Sequence, residues 1–252
     1  MKKRLKLYYH TLLDIFEKRK KQHCAAKALR INNEVSYVIM FHHVNDKYDT
    51  TISSTSQCTV EEFCKILDDL NDKGKVVCSL EEFYNLAVNE QLCNNVIISF
   101  DDIPENVYTK AYPILKERNI PFCIFIATGF INKKGYISLE QLKELSQDPL
   151  CTVGAHTATH PYLKDCKDYF NRELLIPKHS LESIIQKPID FFAYPYGTRY
   201  AVSRKNIRTV ENSRMFKCAF STTPSTVNKY SFNDRFFIPR INCRIIIDKI
   251  IK

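Results

Sequence analysis

Two carboxylates stand side by side at Asp101-Asp102, directly after the apolar run Val96–Phe100. Adjacent carboxylates repel unless a cation or a proton separates them. One can then hold a metal while the other stays free as a base; the plainer alternative is a pair capping a helix that starts near Pro104. His156 and His160 are four residues apart, a spacing that puts both imidazoles on one face of a helical turn, as in zinc chelation. With a third oxygen ligand they would make a three-ligand site with an open position for water. His42-His43 end a third apolar run, and Tyr194-Pro195-Tyr196-Gly197 form a tight turn after a fourth. His10, His23 and His179 have no chemical companions.

The elements that carry these residues alternate. Apolar runs at 37–41, 96–100, 122–127, 152–155, 191–194, 218–221 and 236–238 read as strands. Amphipathic stretches at 59–73, 79–89, 105–119, 138–146, 167–186 and 201–214 read as helices, with Pro177 expected to kink the fifth. Thr59 with Glu62, and Ser79 with Glu82, have the spacing of capping boxes. Strand–helix alternation implies parallel βα units, and such sheets gather their site at the C-terminal strand ends. All four chemical features fall there. The expected fold is α/β: a barrel of about seven parallel strands spanning residues 36–252, preceded by a helical extension over 1–35.

In order along the chain, SFDD, HTATH and FAYPYG resemble the polysaccharide deacetylase (NodB-homology, carbohydrate esterase family 4) pattern, over roughly residues 36–245. The resemblance implies a distorted, incomplete (β/α) barrel that hydrolyses N-acetyl groups on sugars with a divalent metal, zinc first, cobalt or nickel as alternatives. It implies Asp101 as catalytic base, Asp102, His156 and His160 as metal ligands, and the Tyr196 N–H as oxyanion donor. The implied substrate is an N-acetylhexosamine glycan or a sugar precursor. Departures are Ala193 where the family usually has arginine, Ile103 where glycine commonly follows the Asp pair, no tryptophan for an aromatic wall, and no late histidine as general acid. The permuted subgroup that resembles poly-N-acetylglucosamine deacetylases carries a Tyr-His near its start; Phe41-His42 is similar, so His42 becomes the expected acid. His43, its strand neighbour, is expected to point away. The His42 pKa is expected near or above the free value of ~6.5. The competing reading is a degenerate barrel that binds or scaffolds glycan without turnover.

Composition narrows the rest. The 252 residues carry a net charge of +9. Residues 1–30 hold ten basic and two acidic residues, a local +8, so the body is nearly neutral and does not look like a nucleic-acid-binding fold. Leu5, Tyr8, Tyr9, Leu12, Leu13 and Phe16 recur at helical spacing in that leader, as an extra packed helix or a contact with an anionic membrane surface. It lacks the continuous apolar core of a secretory signal. Ten scattered cysteines without a CxxC pair then suggest reduced thiols and a cytoplasmic location, at most peripheral to the membrane. Oligomeric state is not legible.

Overall fold

The computed structural model describes residues 34–250; the expected extension over 1–35 lies almost wholly outside the described residues. Ten strands follow one another: β1 Tyr37–Phe41, β2 His43–Asn45, β3 Gln57–Thr59, β4 Val76–Val77, β5 Asn95–Asp101, β6 Phe122–Ile126, β7 Cys151–Ala155, β8 Phe191–Ala193, β9 Cys218–Phe220 and β10 Ile241–Asn242. Seven of them run parallel in the order β10-β1-β5-β6-β7-β8-β9, curled into an incomplete α/β barrel as expected. The two-residue β4 pairs with the start of β5, and β2 pairs with β3 in a separate parallel ribbon.

Sheet strands covered on both sides are mostly apolar, which is why β1, β6 and the centre of β5 read as apolar runs. Every residue of these three strands is buried. Phe41 and Phe100 stack at 5.4 Å, Phe63 meets Phe41 edge-on at 5.2 Å, and Phe122 meets Phe100 edge-on at 6.2 Å. Phe63 comes from the helix Val60–Asp72, whose capping box is complete: Thr59 Oγ1 accepts from Glu62 N at 3.1 Å, and Glu62 Oε2 accepts from Thr59 N at 3.0 Å. At Ser79 only the forward half of the expected box forms.

Two expectations need correction. The last strand is Ile241–Asn242, not 236–238; Ile238 makes only a single parallel bridge to Phe220. Pro239 follows it without an N–H to extend that ladder. The helix expected over 167–186 is two pieces, a π-helical turn Phe170–Leu175 and an α-helix Ile176–Ile185, with Pro177 at the junction as expected. Among the described residues no helix is long and apolar enough to cross a membrane.

The Thr59 cap bears directly on the packing of Phe63. Thr59→Ala is expected to lower unfolding stability by about 1 kcal/mol, the usual cost of a lost N-cap. Urea unfolding with an unchanged slope and a lower midpoint is the expected result; an unchanged midpoint contradicts it.

Candidate functional site

Asp101 is the last residue of β5, and the chain turns sharply after it. Asp102 (φ +62°) and Ile103 (φ +51°) are both left-handed. Left-handed backbone costs a β-branched residue about 1–2 kcal/mol, which a glycine there would not incur. Ile103 is held in place by nearly complete burial, which is worth about 1.5–3 kcal/mol and so offsets the strain.

Asp101 is buried against Arg240 in a two-pronged ion pair. Nη1 donates to Oδ1 and Nη2 to Oδ2, each at 2.7 Å, while Arg240 Nε donates to Ser221 O at 2.9 Å. Burial pushes the Asp101 carboxyl up, but the Arg240 charge and hydrogen bonds hold it well below the usual carboxylate range. Arg240 was not among the residues singled out by sequence. Its one signal was a charge inside the apolar stretch Phe236–Cys243. It reaches the aspartate from the segment that crosses the open seam of the barrel, where Ala193 offers no guanidinium.

Asp102, His156 and His160 each present one ligand atom, all within 4.8 Å of one another. Asp102 Oδ1 lies 3.6 Å from His156 Nε2 and 3.5 Å from His160 Nε2. It is buried and has no hydrogen-bond partner. His156 Nδ1 is 2.7 Å from the Ala193 carbonyl, so Nδ1–H donates there and the Nε2 lone pair faces Asp102. Burial carries the His156 pKa down to about 3 and lowers that of His160, so these rings are neutral and the contacts are not ion pairs. Burial, with Asp101 nearby, raises Asp102 to about 6. Two neutral imidazoles and an orphaned carboxylate oxygen converging on one point are a donor set suited to a divalent transition ion.

The histidines do not meet on a helical turn as expected. Residues 156–160 form a loop with left-handed Thr157 (φ +70°) and His160 (φ +56°), closed by a bond from His160 N to Thr157 Oγ1 at 3.1 Å. The fourth-residue spacing works through a reversal of the chain after β7.

His42 is half-buried, with an Nδ1 that is buried and unpartnered. Its pKa is lowered, not near or above 6.5 as expected, because burial outweighs the Asp101 and Asp102 carboxylates. His43 does not point away either. Both histidines line the same cavity, because β1 ends at Phe41 and His43 starts a strand of the other ribbon, which breaks the alternation. His43 Nδ1 lies 3.3 Å from Asn106 Nδ2.

Tyr196 (φ +59°) and Gly197 (φ +54°) form a second left-handed pair. A Cβ on Gly197 would lie 2.4 Å from Thr222 N, so only glycine fits. The Tyr196 ring stacks on Tyr162 at 4.1 Å and lies 4.6 Å from His160, an aromatic wall without tryptophan. The cavity is also lined by Ile52, Ser53, Thr55 and Ser56. Buried Gln57 shapes that segment: its Oε1 accepts from Asn45 Nδ2 and Asp49 N, and its Nε2 donates to the Asp49 and Ile52 carbonyls, all at 2.7–3.1 Å. Asn242 Nδ2 donates to Thr55 O at 2.8 Å.

The six residues singled out by sequence thus line one cavity of about 340 Å3: His42, Asp101, Asp102, His156, His160 and Tyr196. A roomier hollow of about 640 Å3 between Tyr84, Arg214 and Arg235 holds none of them, so chemistry and not size marks the site.

Residues 89–213 match the family model described as polysaccharide deacetylase. A poly-beta-1,6-N-acetyl-D-glucosamine N-deacetylase of Staphylococcus aureus is 32% identical over 166 residues, covering 58% of this chain and 53% of that protein. The chain thus matches about half the length of that curated relative. IcaB from Ammonifex degensii superposes with a TM-score of 0.70 at 24% identity, covering 86% of this chain and 97% of the other. The Streptococcus pyogenes deacetylase PplD in complex with acetate does so with 0.74 at 21%, covering 87% and 99%. These two likenesses show the fold.

The buried ion pair makes a direct prediction. Arg240→Met strands a buried carboxylate and is expected to destabilise the protein by about 3–5 kcal/mol, with Asp101→Asn in the same chain restoring most of it. The Asp101 carboxyl is depressed on folding, so its contribution is fully present above its unfolded value of ~3.9 and is lost as pH falls through the folded value. The gap between wild type and Arg240→Met should therefore be largest at neutral pH and above, and narrow as pH falls, first as the stranded carboxylate of the variant takes up a proton and last as Asp101 of the wild type does. Equal denaturation midpoints at pH 7 would show that the pair is not stabilising.

Proposed function

We propose that this chain is a polysaccharide deacetylase, as its match to that family model and its deacetylase relative support, and that it hydrolyses the N-acetyl group of an N-acetylhexosamine glycan. The carrying observation is the Asp102, His156 and His160 donor set beside an Asp101 kept ionised by Arg240, in one cavity. The name of the Staphylococcus aureus relative makes β-1,6-linked poly-N-acetylglucosamine the first substrate to try.

The proposed metal is zinc, with cobalt or nickel able to take the same nitrogen and oxygen donors. A divalent ion bound there supplies Lewis-acid polarisation and a more acidic water. The work of the chain itself follows from its geometry. Asp101 stays ionised, and accepts the proton of the attacking water. Arg240 occupies both its oxygens from behind and fixes their direction. The Tyr196 N–H, on a turn locked by Gly197, receives the charge that grows on the carbonyl oxygen; one such donor is worth about 3–4 kcal/mol. His42 delivers a proton to the departing amine. Its lowered pKa makes the charged form scarce at neutral pH, so the proton it gives is readily released. The Tyr196–Tyr162 stack offers a flat surface for the C–H face of a pyranose, and Ser53, Thr55 and Ser56 offer hydroxyls to its rim.

An inert glycan-binding barrel loses its main support here. Ala193 counted towards that reading because the family usually has arginine there, but Asp101 does not lack a guanidinium, since Arg240 supplies one.

The test is release of free amine from a β-1,6-linked N-acetylglucosamine oligomer, with and without chelator. Chelation should abolish release and added Zn2+ or Co2+ should restore it. Asp101→Asn should keep its metal and lose at least about 100-fold in kcat. His42→Ala should lower kcat steeply at unchanged metal content. Chelator-insensitive release, or near-normal kcat in Asp101→Asn, removes the mechanism; no release from any N-acetylhexosamine glycan removes the activity.

A further inference from the structure

Glu173 is a buried carboxylate, 6% exposed, on an element that contributes nothing to the cavity lining. Among the described residues no cation pairs with it. All three of its hydrogen bonds go to the loop that joins His156 to His160. Oε2 accepts from the N–H of Ala158 at 3.1 Å and of Thr159 at 2.9 Å, and Oε1 accepts from Thr159 Oγ1 at 2.9 Å. That loop needs holding, because Thr157 and His160 are both left-handed residues with side chains. Its other side is tied to the segment after β6: Gly129 N donates to Ala158 O at 2.8 Å and Thr128 N to Thr157 O at 3.1 Å.

The reach of Glu173 follows from the sequence. Pro177 lacks the N–H that an α-helix would bond to the Glu173 carbonyl four residues back. The turn before it is wider, with Ile176 N bonded to Asn171 O, five residues back. The π-turn holds Glu173 beside residues 158–159. The Pro177 kink seen in the sequence thereby connects to the site.

We propose that Glu173 is a positioning residue for His160: it fixes the path of the 157–159 loop and so sets His160 Nε2 opposite Asp102. This rests on the reading of Asp102, His156 and His160 as metal ligands. Glu173 touches neither metal nor substrate and acts through the loop alone.

Because the role is geometric, an amide should replace the carboxylate. In Glu173→Gln the side-chain oxygen can accept from both backbone amides, and the NH2 can donate to Thr159 Oγ1. In Glu173→Ala nothing does. Co2+ titration of metal-free full-length protein, followed by the visible Co2+ absorption bands and by apo-protein melting, separates the cases. Glu173→Ala should bind Co2+ about 10–100-fold more weakly, with altered bands, as expected for a lost outer support of a ligand. Glu173→Gln should remain within about 3-fold of wild type, and Thr159→Val, which loses one of the three bonds, should fall between. Wild-type Co2+ affinity and bands in Glu173→Ala overturn the inference, as does a Glu173→Gln as weak as Glu173→Ala, since that would mean a charge effect. If Glu173→Ala does not fold, Thr159→Val decides: unchanged affinity and bands overturn the proposal, and weaker binding with shifted bands supports it. Asp102→Ala is the control for the ligand reading. If it binds Co2+ like wild type, or if wild type binds none, the metal assignment itself fails and takes this inference with it.

Discussion

The Asp101–Arg240 pair ties the seam of the barrel to the tip of β5. The parallel path ends at β9 on one side and β10 on the other, and the segment before β10 crosses the seam through the Ile238 bridge, backbone hydrogen bonds between residues 235–240 and 219–223, and the Arg240 side chain. Arg240 is wholly buried, with Nε on the Ser221 carbonyl just beyond β9 and its fork on the aspartate at the tip of β5. A buried pair of this kind is weak evidence of net stability, because desolvation of both charges opposes their attraction. Its value here is directional. It fixes which carboxylate of the Asp101-Asp102 pair stays ionised into acid and which way its oxygens face.

The strand ends around that pair share one device. β5, β7 and β8 each run out into left-handed residues, at Asp102-Ile103, at Thr157 and His160, and at Tyr196-Gly197. Such turns reverse a chain within one or two residues, so the side chain after a strand can face back into the barrel mouth. The cost is strain at residues with a Cβ, and it persists only where the surroundings over-determine the backbone. The supports are identifiable in each case: burial of Ile103, the Glu173 carboxylate on the 158–159 amides, and the Thr222 contacts of the Tyr196-Gly197 turn.

Legibility followed the length of the local signal. β1, β5 and β6 were readable because strands buried on both faces are mostly apolar, and the helix after Thr59 because its cap lies within three residues. β2, β3, β4 and β10 are two or three residues long and carry no period. The six site residues were readable because parallel strands deliver their C-terminal ends to one rim. The partners of those residues were not. Arg240 lies 139 positions from Asp101, and Glu173 lies 14–15 from the amides it holds. The spacing of four in His156–His160 does bring the two rings together, but through a chain reversal and not through the helical turn expected.

Two adjacent carboxylates with opposite proton affinities form the last step. Burial raises both; what separates them is the nearest positive charge. Asp101 has Arg240 and lies well below the usual range, whereas Asp102 has only neutral imidazoles within reach and rises to about 6. The protein therefore supplies the cation for one member of the pair and leaves the other without one, as the proposed metal site requires. The neighbouring rings agree with that division: His156 is held neutral by burial and oriented by the Ala193 carbonyl, so its lone pair, not a proton, faces the empty corner of Asp102. Had both aspartates faced guanidinium groups, both would be held low; had neither, burial and mutual repulsion would have raised them. One arginine for two carboxylates is the arrangement that keeps their proton affinities apart, as the proposed roles of base and metal ligand require.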